Sequence, residues 1–217
     1  MSLPGIDRPD LPEFMTWEQL AELPEEIAEQ IELWEGRVVW LRRGPGEHQI
    51  FTRRLTNALE RSARDDMTAH PDRCWVANLE TNVFLGATGK SDFVTPDFLV
   101  HRCLDGPYRD VRAADTVMVG EVLSPSNTSA LMQAKRARYA AAGIPWYWEV
   151  ILEPDTSAIA VIQAYGLDTA PARLPHGVSP LHPVDYRLVD EWINDDGAVV
   201  AFPQPFSIEI PWSALSF

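Results

Sequence analysis

Glu121 stands inside the apolar run VMVGEVL at 117–123, where an ionised carboxylate is costly unless it is paired or holds a metal. Asp97 opens a neighbouring apolar run, DFLVHR. Two carboxylates on adjacent strand ends can share a hard divalent cation through oxygen ligands, leaving coordination positions open for water and a substrate phosphate. No His or Cys set accompanies them, so the pattern fits Mg²⁺ or Mn²⁺ and not zinc. Lys135 falls on the helix expected after the Glu121 strand, and Tyr139 is four residues on, so the two leave successive turns on one side. A short connection packs that helix beside its strand. It can therefore bring a cation and a phenol to the carboxylate pair, where a lysine stabilises charge developing on a phosphoryl group. The competing reading of the same spacing is a solvated lysine and a core tyrosine.

The elements that must position these groups read as a mixed α/β (α+β) fold, a curved and partly antiparallel β-sheet flanked by helices. Thr16 and Gln19 form a capping-box pair ahead of Trp17, Leu20, Leu23 and Ile27, which predicts an amphipathic helix broken near Pro24, resumed to about Ile31 and stopped by Gly36. A strand is expected over 37–42, a turn at 44–46, and a long helix over about 47–64 from the spacing of Ile50, Leu55 and Leu59. Strand-like runs follow at 74–84, 97–101 and 116–123. Then come a turn at Ser124-Pro125-Ser126 with Ser126 or Asn127 as helix cap, a helix over 129–142 closed by Gly143, and a strand over 146–152. On that strand Trp146 and Trp148 share one face and Tyr147 takes the other. SAIAVIQAY, YRLVDEW, AVVAF and FSIEI supply further short strands. We read a loose N-terminal arm over 1–15, one domain over 16–217, and a Pro-rich surface loop over 169–183.

The chain has 217 residues, 46% hydrophobic and 23% charged, enough for a sizeable globular core. Cys74 and Cys103 form no CxxC or CxxH spacing, so neither zinc nor a disulfide framework is implied, and a reducing cytosol is the natural compartment. No apolar run long enough to span a membrane occurs and the start of the chain has no apolar signal core, so a soluble, cytoplasmic protein is expected. The net charge of -14 argues against a nonspecific nucleic-acid binder. Its distribution matters more, because residues 1–35 hold ten acids against Arg8. Residues 37–64 carry seven arginines against Glu47 and Glu60, with a second basic cluster at Lys135, Arg136 and Arg138. Arginines without lysine suit bidentate phosphate contact, and a solvated helix face is the alternative.

ELWEG at 32–36, His48, Pro96-Asp97, EVLSPS at 121–126, Lys135 with Tyr139, and GIPWYW at 143–148 together resemble the Uma-type family of restriction-endonuclease-like proteins, once filed as a bacterial domain of unknown function. The resemblance covers about 15–152 in order, with a weaker match near 205–215. It implies a restriction endonuclease-like core of the PD-(D/E)XK superfamily, a metal-dependent DNA endonuclease, and a homodimer, since cutting both strands takes two sites. It further implies that Asp97 and Glu121 bind Mg²⁺ or Mn²⁺, with the Val122 carbonyl as an added ligand. Glu32, expected on the N-terminal helix, would hold a second metal or a bound water. The superfamily lysine normally stands two residues after the second acid, which is Leu123 here, so the resemblance passes that role to Lys135. His48 and Tyr139 become accessory residues. Leu131 and Trp146 depart from the pattern, standing where the family often has acids.

A nuclease fold that binds nucleic acid or protein without turnover is the alternative that the acidic surface, Leu131 and Trp146 favour. A glycosidase built on paired carboxylates is a third reading, weakened by the apolar strand around Glu121 and by the lysine. Ser124 and Ser126 read as turn residues and not as nucleophiles, because no G-x-S-x-G elbow surrounds them. Asp65-Asp66 and Asp195-Asp196 read as turn acids.

Overall fold

The computed structural model describes residues 9–41, 44–123, 127–154, 156–169, 184–194 and 198–216. The turn at Ser124-Pro125-Ser126, Asp195-Asp196, Arg42, Arg43 and most of the Pro-rich stretch lie outside these residues. Helix α1, Trp17–Ala21, opens with the capping box that Thr16 and Gln19 predict. Pro24 separates it from α2, Glu25–Ala28. The helix does not resume to Ile31. Strand β1, Ile31–Trp34, begins there and pairs antiparallel with β2, Arg37–Trp40. Glu35 (φ 52°) and Gly36 (φ 83°) make the turn between them, the pair of left-handed residues that a two-residue hairpin requires. The expected loose arm is tied down at its end, where Met15 donates to the Gly36 carbonyl and Val38 to that of Glu13.

Helix α3, Gly46–Ala69, is longer than its expected span and buries Phe51, Leu55, Leu59 and Ala63. The run expected at 74–84 is two strands, β3 (Trp75–Leu79) and β4 (Val83–Phe84), because Glu80 turns the chain with φ 43°. Strands β5 (Phe93–Val94), β6 (Phe98–Arg102), β7 (Val111–Arg112) and β8 (Thr116–Leu123) follow. Helix α4, Ser129–Ala141, is capped by Thr128, whose side chain accepts from Leu131, and not by Asn127. Then come β9 (Trp146–Leu152), β10 (Ile159–Asp168), β11 (Asp185–Ile193), β12 (Val199–Phe202) and β13 (Ile208–Pro211).

The main sheet has the order β11-β10-β9-β8-β6-β3. All its pairs are antiparallel except β8 and β9, whose parallel pairing needs the crossover that α4 provides. A five-stranded sheet, β2-β1-β5-β4-β7, and the hairpin β12-β13 complete the architecture. The main sheet is buried on both faces at its centre, which explains the near-continuous apolar sequences of β8 and β9. Trp148, Phe98 and Val122 face α3 and the β12-β13 hairpin, while Tyr147, Val119 and Leu99 lie with Tyr139 of α4 in a second core. The face alternation of Trp146, Tyr147 and Trp148 therefore buries tyrosine as fully as tryptophan. Gly120 interrupts β8 because a Cβ there would lie 1.9 Å from the Phe98 ring.

Cys74 and Cys103 are bonded, against the expectation of two separate thiols. The register Trp75↔Arg102 brings the residues flanking β3 and β6 side by side, with Cα atoms 5.3 Å apart. Closing a loop between residues 29 apart removes denatured-state entropy worth about 3.6 kcal/mol. Reduction, or the double change Cys74→Ser with Cys103→Ser, is expected to lower the urea midpoint by that equivalent. Among the described residues no helix is long and apolar enough to cross a membrane.

Candidate active site

Four elements converge on one cleft of about 980 Å³, whose walls include His48, Asp97, Glu121 and Lys135. Glu121 lies on β8 and Asp97 directly precedes β6, its antiparallel neighbour, so the pairing of these strands sets the two acids side by side. Lys135 projects from the second turn of α4 and is buried, with 6% of its surface exposed. Its Nζ lies 2.9 Å from Glu121 Oε1, 3.2 Å from Glu32 Oε1 and 3.4 Å from the Thr95 carbonyl. Tyr139, one turn on, donates to Glu121 Oε1 at 2.5 Å. The shared side of α4 is thus directed at Glu121, and the solvated reading of Lys135 is excluded by its burial.

Glu32 is fully buried on β1 and not on a helix. It accepts from the Thr95 amide and the Trp34 indole, each at 2.7 Å, and approaches Lys135 with the oxygen that takes the Thr95 bond. Glu32 therefore joins the cluster through the lysine. Among the described residues no three His, Cys, Asp or Glu side chains form a group disposed to hold a metal. Asp97 Oδ2 accepts from the Val122 amide at 2.6 Å and lies 3.0 Å from His48 Nε2. His48 sits in the first turn of α3, so that helix reaches the cleft by its N-terminal end.

Charge explains the electrostatics. Burial pushes the Glu121 carboxyl up to about 7, and the attraction of Lys135 and the Tyr139 hydrogen bond only partly oppose this, while Asp97 adds to it. Burial alone would lower the Lys135 ammonium, but Glu121, Glu32 and Asp97 together hold it well above its ordinary value. Burial raises the Tyr139 phenol, and the Glu121 charge raises it further, so it stays a donor. Burial lowers His48, and the bond to Asp97 together with the charges of Asp97, Glu121 and Glu80 outweighs that, so its pKa is raised.

The remaining oxygens decide whether a divalent cation fits. The hydrogen bonds and ion pairs of Asp97 fall on Oδ2 and those of Glu121 on Oε1, so each of these cleft-lining acids keeps a second carboxylate oxygen for a ligand. Two hard oxygen donors beside open volume suit Mg²⁺ or Mn²⁺, which retain several waters. Thr95 escaped sequence reasoning, although its amide holds Glu32 and its carbonyl faces Lys135. Its one signal is its place two residues before Asp97.

A mixed sheet flanked by helices, with two acids and a buried lysine at a cleft, is a restriction endonuclease-like architecture. The family model described as "Uma2: Putative restriction endonuclease" matches residues 17–171, and the chain belongs to that family. The crystal structure of a "putative nuclease belonging to DUF820" from Anabaena variabilis ATCC 29413 superposes with a TM-score of 0.60 at 17% identity. The match covers 93% of this chain and 97% of that one, and shows a shared fold. The comparison with curated proteins gives no match.

Proposed function

We propose that this protein hydrolyses phosphodiester bonds in DNA with Mg²⁺ or Mn²⁺ held by Asp97 and Glu121, and that it acts as a homodimer with one site for each strand. The observation that carries this reading is the buried Lys135 ammonium, 2.9 Å from Glu121 in the wall of an open cleft. A purely structural ion pair has no need of a second acid, Asp97, in the lining of the same cleft.

The cation, when bound, supplies Lewis acidity at the phosphoryl oxygen and lowers the pKa of an attacking water. The chain's own residues orient the reaction. His48 and the Val122 amide fix one oxygen of Asp97, and Tyr139 fixes one oxygen of Glu121. Lys135 places a permanent positive charge where a phosphoryl oxygen gains negative charge in the transition state. Glu32 pairs with the ammonium as a second acid beside Glu121. Action on DNA places the protein in the cytoplasm, where reducing thiols would open the Cys74–Cys103 bond.

The test is calorimetric titration of Mn²⁺ into the wild type, Asp97→Asn and Glu121→Gln, with and without a short DNA duplex, alongside nicking of supercoiled plasmid. Binding and nicking in the wild type, lost in both variants, are expected. Because Glu121 keeps its proton up to about pH 7, cation binding at pH 6 is expected to release a proton. Titrations in buffers of different ionisation enthalpy measure it. Leu131 at the cleft wall, in place of an acid, favours the second reading, a nuclease fold that binds without turnover. DNA binding with neither Mn²⁺ uptake nor nicking would establish that reading.

A further inference from the structure

Among the described residues every lysine and arginine takes part in an ion pair or hydrogen bond except Arg53 and Arg61. Both lie on the exposed face of α3. Their neighbours in the arginine-rich segment are engaged, Arg64 by Glu60, Arg37 by Glu13, and Arg54 by the carbonyls of Leu215 and Ser216. A chain with 32 acids against 18 lysines and arginines has ample means to neutralise two more cations, yet leaves these two open to solvent. They are eight residues apart, about 12 Å along the helix and within an arc of about 80°. Exposed Asn57 lies between them, and exposed Gln49, one turn before Arg53, lines the cleft. The stripe is therefore continuous with the wall that carries His48.

We propose that this face of α3 is the docking track for the phosphate backbone of the nucleic acid whose scissile phosphate enters the cleft. The inference rests on the nuclease reading and adds to it the surface that holds the substrate outside the reacting site. Phosphates on one strand advance 3.4 Å along the duplex axis, so Arg53 and Arg61 span about three of them. Arginine offers each a planar, bidentate set of donors. Contacts of this kind position without reading sequence. They also let a strongly acidic protein hold a polyanion, since binding depends on the local face and not on net charge.

The experiment compares the wild type with Arg53→Ala/Arg61→Ala and Arg53→Glu/Arg61→Glu. Anisotropy of a short labelled duplex is measured in EDTA across salt, and Mn²⁺ affinity by calorimetry. Exposed alanines favour the helix, so the alanine variant keeps its fold. Expected are a Kd raised about tenfold in the alanine variant, a log–log salt slope shallower by about 1.8, and unchanged Mn²⁺ affinity. Arg53→Lys/Arg61→Lys is expected to recover most of the slope. Wild-type binding that both variants retain with the same slope would overturn the proposal and leave the nuclease reading standing. Weakened DNA binding in variants of a chain that takes up no Mn²⁺ would uphold the track and overturn the nuclease reading. No duplex binding by the wild type would overturn both. A change of oligomeric mass in the charge-reversed variant without a change in DNA affinity would also overturn the track, assigning the face to the acidic N-terminal segment of a second copy.

Discussion

Lys135→Met is expected to remove DNA nicking to below detection and to lower stability at pH 8 by about 3–5 kcal/mol, the cost of stripping one partner from a buried ion pair. The chemical loss follows from position, because Lys135 is the cation within ion-pairing distance of both Glu121 and Glu32. No neighbouring lysine or arginine substitutes, since Arg136 points to Glu149 and Arg138 to Asp92. The stability loss follows from Glu32 and Glu121, both buried and both left without the ammonium that pairs with them. It is smaller at acid pH, where Glu121 takes a proton and the uncompensated charge falls. Urea midpoints at pH 5 and pH 8 read the difference directly. The double change Lys135→Met with Glu121→Gln is expected to recover part of the stability and none of the nicking. Loss of nicking with full stability at pH 8 would show that the buried pair contributes nothing to the fold.

Much of this site is legible in the sequence because β8 and β9 are buried on both faces. Their runs are apolar apart from Gly120 and one acid in each, so strand limits at 116–123 and 146–152 can be read from the pattern, and Glu121 and Glu149 stand out against it. Lys135 and Tyr139 are legible because a helical spacing of four places them on one side. Glu32 is harder. Acids and apolar residues recur at intervals of three and four from Trp17 to Ile31, and that period continues across the start of a strand only four residues long. The strand is set by the Glu35-Gly36 turn, and Gly36 reads equally well as a helix stop. Asp92 stabilises the turn by accepting from the Glu35 amide at 3.0 Å, a contact across 57 residues that local pattern cannot carry. The Cys74–Cys103 bond is hidden for the same reason. Its cysteines meet through the pairing of β3 with β6, and nothing in their spacing records that register.

Glu121→Gln is expected to lose nicking by about 10³-fold or more, as the proposed role of Glu121 as a metal ligand requires, and yet to gain stability at neutral pH. The sign follows from where the group titrates. Below about pH 4.5 Glu121 carries its proton in folded and unfolded chains alike, so its ionisation costs nothing. Between 4.5 and about 7 the unfolded chain ionises while the folded chain holds the proton, and stability falls as pH rises. Above that range the full penalty applies, and the gap corresponds to about 3 kcal/mol. Glutamine keeps an acceptor for Tyr139 and Lys135 and has no proton to lose. The variant should therefore show a flatter urea midpoint from pH 5 to pH 8 and exceed the wild type at pH 8 by up to about 3 kcal/mol. Lys135 keeps Glu32 as its counter-charge, so the substitution strands no buried cation. A saturating divalent cation should reverse the order, because it binds the wild-type carboxylate and stabilises only the state that holds it. A variant less stable than the wild type at pH 8, with its pH slope intact, would make Glu121 a structural partner of Lys135. A stable and inactive variant means that the fold carries an ionised acid in its core at a cost in stability, for the chemistry that the acid performs.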